Sequence, residues 1–321
     1  MSTDYVVAMD RAVDAAQVGV KTARLAQLAG EGVPVPEGFA VTAAAYREFV
    51  DDGRLEPEIA QAIRRFRAGR DLSVAAAEIR SAFRDASLPA VVADEILAAY
   101  RDLGGEGTEV AVRCSPVTST DPVQDEVFLH LNTAADVLAA CRRCFASLYS
   151  AVAIGNREAA GLDQLTAVMP VTVQRMVRAD LGGSGTARGE STFVRVRAVW
   201  GLGDPAAADA DLYSVHPGDR PLIVRHCGGK ATKTVYAGPR GTCRVTTTPD
   251  ERSALVLTDE ELQLLARWSV LADTKFRRPT TIEWAKDGRS GRLFVVEIRP
   301  GSTPPMTIRR RDLNVFEPQF G

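Results

Sequence analysis

Lysine is scarce in this chain. Only Lys21, Lys230, Lys233, Lys275 and Lys286 carry an ammonium, against 39 basic side chains in all. Where arginine is the default, a lysine is a candidate for a place that wants a compact point charge. Histidine is scarcer still, with His130, His216 and His226. Excess charge is also missing. A formal net charge of −2 creates no global field to attract nucleic acid or an anionic membrane, so neither is expected as a partner. The longest basic run, Arg309-Arg310-Arg311, reads as a solvated tail. No stretch approaches the roughly 18 uninterrupted apolar residues of a membrane span. The opening "MSTDYVVAMDRAVDAAQ" lacks the basic-then-apolar order of a secretory signal, and a cytoplasmic setting is expected. The five cysteines, Cys114, Cys141, Cys144, Cys227 and Cys243, are odd in number and fit no secreted disulfide framework. Cys141-x-x-Cys144 has no second pair at zinc spacing and lies in a helix-like stretch, so structural thiols are expected.

The 321 residues, 45% apolar and 25% charged, suffice for two lobes with sizeable cores. "VGVKTARLAQLAGEGVPVP" predicts a helix, with Leu25, Leu28 and Ala29 at helical spacing and Gly30, Gly32, Pro34 and Pro36 ending it. Thr42 is a candidate N-cap, and helices follow from about residue 55 to 102. "TEVAVRCS" predicts a short strand and "TAADVLAACRRCFASLYSAVAIGNREA" one long amphipathic helix. "AVMPVTVQRMV" and "TFVRVRAVWGLG" predict strands. Thr258 and Glu261 form a capping-box pattern before another helix. "GGSGTARG", Gly182 to Gly189, reads as a loop. The order is helical first, then mixed with antiparallel strands, which is an α+β class.

The segment "TTIEWAKDGRSGRLFVVEIRPGS", Thr280 to Ser302, predicts a hairpin turning near Ser290. That register sets Glu283 opposite Glu297 and Thr281 opposite Arg299, all on one face. Ile282, Trp284, Val296 and Ile298 then form the core face. Two carboxylates directly opposite destabilise a sheet. A bridging divalent ion reverses the sign. Mg²⁺ takes one or two carboxylates and completes its shell with water and phosphates, and Arg299 suits a phosphate oxygen. The alternative is a solvated polar face on which Arg299 offsets both glutamates.

Motifs elsewhere bear on that choice. "VGVKTARLAQLAGEGVPVPEGFAV", "EVAVRCSP", "CRRCFASLYSAVAIGNRE", "VTVQRMV", "AVWGLGD", "IEWA" and "VEIRP" follow in order over residues 18 to 302. Together they resemble the nucleotide-binding domain of phosphoenolpyruvate synthase and pyruvate phosphate dikinase. Rifampicin phosphotransferase and the ATP-binding subunit of phenylphosphate synthase are similar in this region. The resemblance implies an ATP-grasp fold, with an N-terminal lobe at residues 1–175, a C-terminal lobe at residues 176–321, and ATP with Mg²⁺ between them. It implies that Lys21, Arg113 and Arg299 contact phosphates and serve catalysis. Gln174 and the backbone of Met176 and Val177 would hold adenine, and Glu283 and Glu297 would hold Mg²⁺. Lys230 and Lys233 are candidates for added positive charge.

The chain departs from the family pattern in places. Thr281 stands where the family has Asp, Glu297 where it has Gln, and Cys114 where it has Ser. "PVTSTDPVQDEVFLHLNT" contains no glycine where the family has a glycine-containing loop over the phosphates. The three histidines lie in no matching motif. The resemblance therefore implies an ATP-binding phosphotransferase component that hands a phosphoryl group to a partner phosphohistidine domain, with ATP ending as AMP. Two alternatives stand beside it. One is a self-sufficient ATP-grasp enzyme phosphorylating or ligating a small molecule in a specialised biosynthetic pathway. The other is a non-catalytic nucleotide-binding protein.

Overall fold

The computed structural model describes residues 4–117, 126–187, 193–202, 209–218, 221–238 and 241–300. Residues 118–125, within the glycine-free segment that stands where the family has its phosphate-covering loop, lie outside them.

Two sheets organise the chain. The first contains β1 (Val6–Ala8), β2 (Gly38–Val41), β3 (Val110–Cys114), β4 (Val127–Leu131) and β5 (Val171–Arg175), in the order β1-β2-β5-β3-β4. Strand alternation gives this sheet two faces. Val110, Val112, Val171 and Val173 point into a core built with helices Ala43–Asp52, Leu55–Arg67, Leu72–Asp85, Ala90–Asp102 and Ala134–Ser147. Phe49, Phe83 and Phe145 lie at its centre with Tyr46 and Tyr149, and their rings meet edge-on or tilted at 5.3–6.4 Å, separations that favour aromatic pairs. The opposite face carries Ala111, Arg113, Thr172 and Gln174.

The second sheet contains β6 (Ala179–Thr186), β7 (Val194–Trp200), β8 (Asp211–His216) and β9 (Leu222–His226), and, beyond a separate ribbon of β10 (Thr232–Tyr236) and β11 (Thr242–Thr246), β12 (Thr280–Asp287) and β13 (Leu293–Pro300). Its order is β13-β12-β6-β7-β8-β9. Helix Asp259–Phe276 packs Leu262, Leu265 and Ala272 on one face, against Val196, Ile282 and Ile298. Its N-terminus has the expected capping box from Thr258 and Glu261. Helix Val20–Ala29 joins the two sheets. Leu25 and Leu28 enter the second core, while Thr22 donates its hydroxyl to Ser115 at 2.8 Å, beside β3. The α+β class expected from the sequence is the architecture found.

Three local expectations are corrected. The predicted long helix is two, Ala134–Ser147 and Ala151–Ala159, because Ser150 leaves helical geometry and caps the second by accepting from Ala153 N–H at 3.1 Å. Its composition would suit a membrane span, yet 67% of that window is buried inside the fold. Secondly, Gly182 to Thr186 is no loop but the C-terminal part of β6, paired on both sides. A Cβ on Gly183 would come within 2.0 Å of the Arg197 carbonyl oxygen, so small residues are needed there for packing rather than for a turn. Thirdly, Glu283 pairs with Glu297 and Thr281 with Arg299 as predicted, but Trp284 then pairs with Val295. The extra residue, Val296, forms a bulge. Val295 takes the core position and is fully buried, and Val296 turns to the cleft.

Candidate functional site

A cavity of about 260 Å³ opens between the sheets, lined by Arg113, Gln174, Met176, Val177, Glu283 and Glu297, with Arg299 at its edge. Seven of the eight residues that the resemblance assigns to ATP or Mg²⁺ therefore share one cleft. The eighth, Lys21, reaches it through Glu297.

The fold places each side chain for a local reason. Gly19 caps helix Val20–Ala29 at a positive φ of 81°, and a Cβ there would overlap the Ser115 carbonyl oxygen. Glycine thus allows the helix to start against the end of β3. Val20 N–H donates to the Pro116 carbonyl at 3.0 Å, and Thr22 donates both its N–H and its hydroxyl to Ser115 Oγ. This pins the first helical turn and directs Lys21 at the hairpin. Arg113 comes from the cleft face of β3. Glu283, Glu297 and Arg299 come from paired positions of β12 and β13.

The resulting cluster is dense. Glu297 Oε1 accepts from Lys21 Nζ at 2.9 Å and from Arg299 Nε at 2.9 Å. Glu297 Oε2 accepts from Arg299 at 3.3 Å and lies 3.8 Å from Arg113 Nε. Arg299 Nε is also 3.0 Å from Glu283 Oε1. Burial tends to raise the Glu297 carboxyl, but Lys21, then Arg113 and Arg299, outweigh it and hold the group below the usual carboxylate range. Glu283 goes the other way. Burial first, and the Glu297 charge second, push it up to about 7 despite Arg299, Arg113 and Lys21. Arg113 is lowered from its ordinary value by burial, with Glu297 and Glu283 opposing.

Gln174 contributes differently. It is 1% exposed, and neither its amide oxygen nor its amide nitrogen has a hydrogen-bond partner among the described residues. Buried polar atoms are seldom left so, and Gln174 is one of the residues lining the cleft. At the adjoining connection the Met176 N–H already donates to the Glu109 carbonyl at 2.8 Å, and the Val177 carbonyl accepts from Tyr236 Oη at 2.8 Å and Ala179 N–H at 2.9 Å. Thr281, standing where the related pattern has a carboxylate, shares a 2.9 Å hydroxyl contact with Thr186 on β6.

Lys230 and Lys233 stay outside the cluster. Lys230 is fully buried and ion-paired with Asp211, and Lys233 pairs with Glu251. Sequence reasoning put both among candidate phosphate contacts; β8 and helix Pro249–Ser253 take them instead. It missed Thr22, Ser115 and Thr172, the hydroxyl group that anchors the Lys21 turn. Their only signal was polar residues beside Lys21, Cys114 and Val171.

A second cavity, about 620 Å³, shares Pro36, Arg175, Met176 and Val177 with the cleft but is otherwise lined by Glu37, Glu109, Arg178, Arg289 and Arg292. Its strongest pair, Arg178 on Glu109, is already bidentate. The smaller cleft differs in bringing two facing carboxylates together with Arg113 and Arg299 from both sheets. Among the described residues no group of three or more His, Cys, Asp or Glu side chains could hold a metal alone. Two carboxylates facing a cleft nevertheless suit Mg²⁺, which keeps several water or phosphate ligands.

Paired carboxylates, converging cations and the buried amide of Gln174 thus face one cleft between the two sheets. The chain belongs to the family of the pyruvate phosphate dikinase AMP/ATP-binding domain, whose model matches residues 15–314. It is 35% identical to phosphoenolpyruvate synthase of Escherichia coli over 318 residues, 89% of this chain and 40% of that one. It is 34% identical to the Pseudomonas aeruginosa phosphoenolpyruvate synthase, covering 92% of this chain and 42% of that one. The chain thus spans about two-fifths of the length of these relatives. A solved D-alanyl-alanine synthetase A from Vibrio cholerae aligns with 66% of this chain and 47% of that one, at 10% identity and a TM-score of 0.30, too low to bear on the fold.

Proposed function

We propose that the cleft binds ATP with Mg²⁺ between ATP-grasp lobes at residues 1–175 and 176–321. In this reading the chain is the ATP-binding component of a phosphotransferase, handing a phosphoryl group to the histidine of a partner domain or to another acceptor. The observation that carries it is the convergence of Lys21, Arg113 and Arg299 on the Glu283–Glu297 pair. Phosphoryl transfer asks the protein mainly to position and to neutralise. Lys21, Arg113 and Arg299 bind phosphate oxygens in this reading, and Glu283 and Glu297 hold the metal. When bound, Mg²⁺ supplies charge neutralisation at the phosphate oxygens. Gln174 gives the base a donor and an acceptor. The Met176 carbonyl and Val177 N–H are the backbone groups offered to its edge, since Met176 N–H and the Val177 carbonyl are spent inside the fold.

The test is nucleotide analysis. Purified chain is incubated with Mg-ATP alone, with an isolated phosphohistidine domain taken from a relative, and with small-molecule acceptors. AMP formed only with the added domain supports the proposal. AMP or ADP formed with a small acceptor alone favours a self-sufficient enzyme, and binding without turnover a non-catalytic role. ATP binding that survives Lys21→Ala combined with Arg299→Ala refutes the site itself.

A further inference from the structure

We infer that Glu297 is the chain's own stand-in for phosphate, an internal anion that occupies the cation cluster of the nucleotide-free cleft and makes nucleotide entry depend on a divalent cation. The inference rests on the reading of this cleft as an Mg-ATP site and adds a rule of access to it. Four features carry it. Glu297 is 3% exposed, and both its oxygens face cations. Lys21 and Arg299 meet Oε1, and Arg299 and Arg113 approach Oε2. The cations come from three separate places, helix Val20–Ala29, β3 and β13, so one carboxylate draws both sheets together. Lastly, the cavity of about 260 Å³, with Arg113, Glu283, Glu297 and Arg299 in its lining, falls below the roughly 300–1,000 Å³ usual for small-molecule sites.

A polyphosphate needs the same cations. Taking Lys21 and Arg299 from Glu297 leaves a buried carboxylate without its partners, next to Glu283 and to the incoming negative charge. Breaking a buried pair in that way is strongly unfavourable. A divalent cation arriving with the phosphates replaces the lost partners, and Glu297 passes from ammonium and guanidinium to metal. Metal-free nucleotide has no such replacement. A neutral side chain of equal size at position 297 would remove the barrier, because an amide neither competes for three cations nor repels phosphate.

The experiment measures ATP affinity by calorimetry, in Mg²⁺ and in EDTA, for the wild type and for Glu297→Gln. The wild type is expected to lose at least about 100-fold in affinity on metal removal. Glu297→Gln should lose less than about 10-fold, through tighter metal-free binding. Equal metal dependence in both proteins overturns the inference and leaves the site reading standing. A wild type that binds no ATP even with Mg²⁺ overturns both. Should Glu297→Gln fail to fold, ammonium NMR of the wild type decides, since a chain with five lysines gives few signals. The Lys21 signal should move with Mg-ATP and stay in place with equal ATP in EDTA. Movement of the same size in both refutes the stand-in role.

Discussion

Glu283 and Glu297 stand directly opposite each other on antiparallel strands, and the single guanidinium of Arg299 reaches both, at 3.0 and 2.9 Å. The two carboxylates are nevertheless unequal. Glu297 collects Lys21 and Arg113 as well, while burial and the Glu297 charge push Glu283 up to about 7. A carboxyl raised in the folded state binds its proton there more tightly than in the unfolded chain, whose value is about 4.3. The folded protein holds the extra proton between those two values. Stability of the nucleotide- and metal-free protein therefore falls as pH rises from about 4.3 through about 7, and the penalty is complete above that. Glu283→Gln should raise the melting temperature relative to wild type at pH 8 and show a much smaller difference at pH 5. Thermal melts in EDTA at the two pH values check this. An offset independent of pH would exclude Glu283 as the source.

Gln174 makes a paired prediction. Both of its amide atoms are buried without a partner among the described residues, and a buried unsatisfied polar group costs about 1–3 kcal/mol. Gln174→Leu should leave the free protein as stable as wild type, or up to about 2 kcal/mol more stable. The same change should weaken ATP binding at least about 10-fold, since roughly 1.4 kcal/mol of lost hydrogen bonding is a factor of ten. Urea melts and calorimetry on one preparation give both numbers. Loss of stability together with unchanged binding would make Gln174 an ordinary core residue.

How far the sequence shows this arrangement can be seen at the hairpin. Alternation and the turn residues near Ser290 were enough to place Glu283 against Glu297, because a period of two admits few registers once a core face is required. They could not reveal the bulge at Val296, since one inserted residue leaves the apolar character of Phe294, Val295 and Val296 unchanged. The glycines of β6 misled for a related reason. Glycine signals both a turn and a close approach, and only the position of the Arg197 carbonyl next to Gly183 separates them. Lys230 is a third case. Its ion pair with Asp211 spans 19 residues, and no local pattern distinguishes a buried lysine from one waiting for phosphate. The Lys21–Glu297 contact, 276 residues apart, was expected only as two members of one site; their direct bond was not legible.

Thiol chemistry should divide the five cysteines. Cys114, Cys141 and Cys144 are buried, and Cys227 and Cys243 are exposed, all as free thiols. Burial first, then the neighbouring Cys114, pushes Cys141 up to about 12, and burial raises Cys144 well above its ordinary value. The thiolate is the reacting form. An aromatic disulfide reagent at pH 8 should therefore modify two thiols quickly in the native protein and all five in denaturant. Mass spectrometry should place the fast pair at Cys227 and Cys243. Rapid labelling of Cys141 or Cys144 would mean that the core around helix Ala134–Ser147 opens easily.

Asp211 holds the far end of the second sheet by a buried ion pair. The carboxylate accepts from Gly228 N–H at 2.8 Å, Val256 N–H at 3.0 Å and Tyr213 Oη at 3.2 Å, and it also meets the Lys230 ammonium. Both charged side chains are fully buried. Removing one partner leaves the other charge buried and unpaired, which costs about 3–5 kcal/mol. Asp211→Asn should destabilise the chain by about that amount, because an amide keeps the shape but loses the charge opposite Lys230. Lys230→Met alone should be costly as well, since it leaves the carboxylate with neutral donors only. Combining Asp211→Asn with Lys230→Met should recover part of the loss, because no buried charge then remains. A double-mutant cycle in urea measures the coupling. ATP affinity of the folded fraction should stay within about threefold of wild type, less than 1 kcal/mol, since neither residue lines the cleft. Strictly additive losses, or ATP affinity lost in step with Lys230→Met, would return Lys230 to the phosphate-binding set.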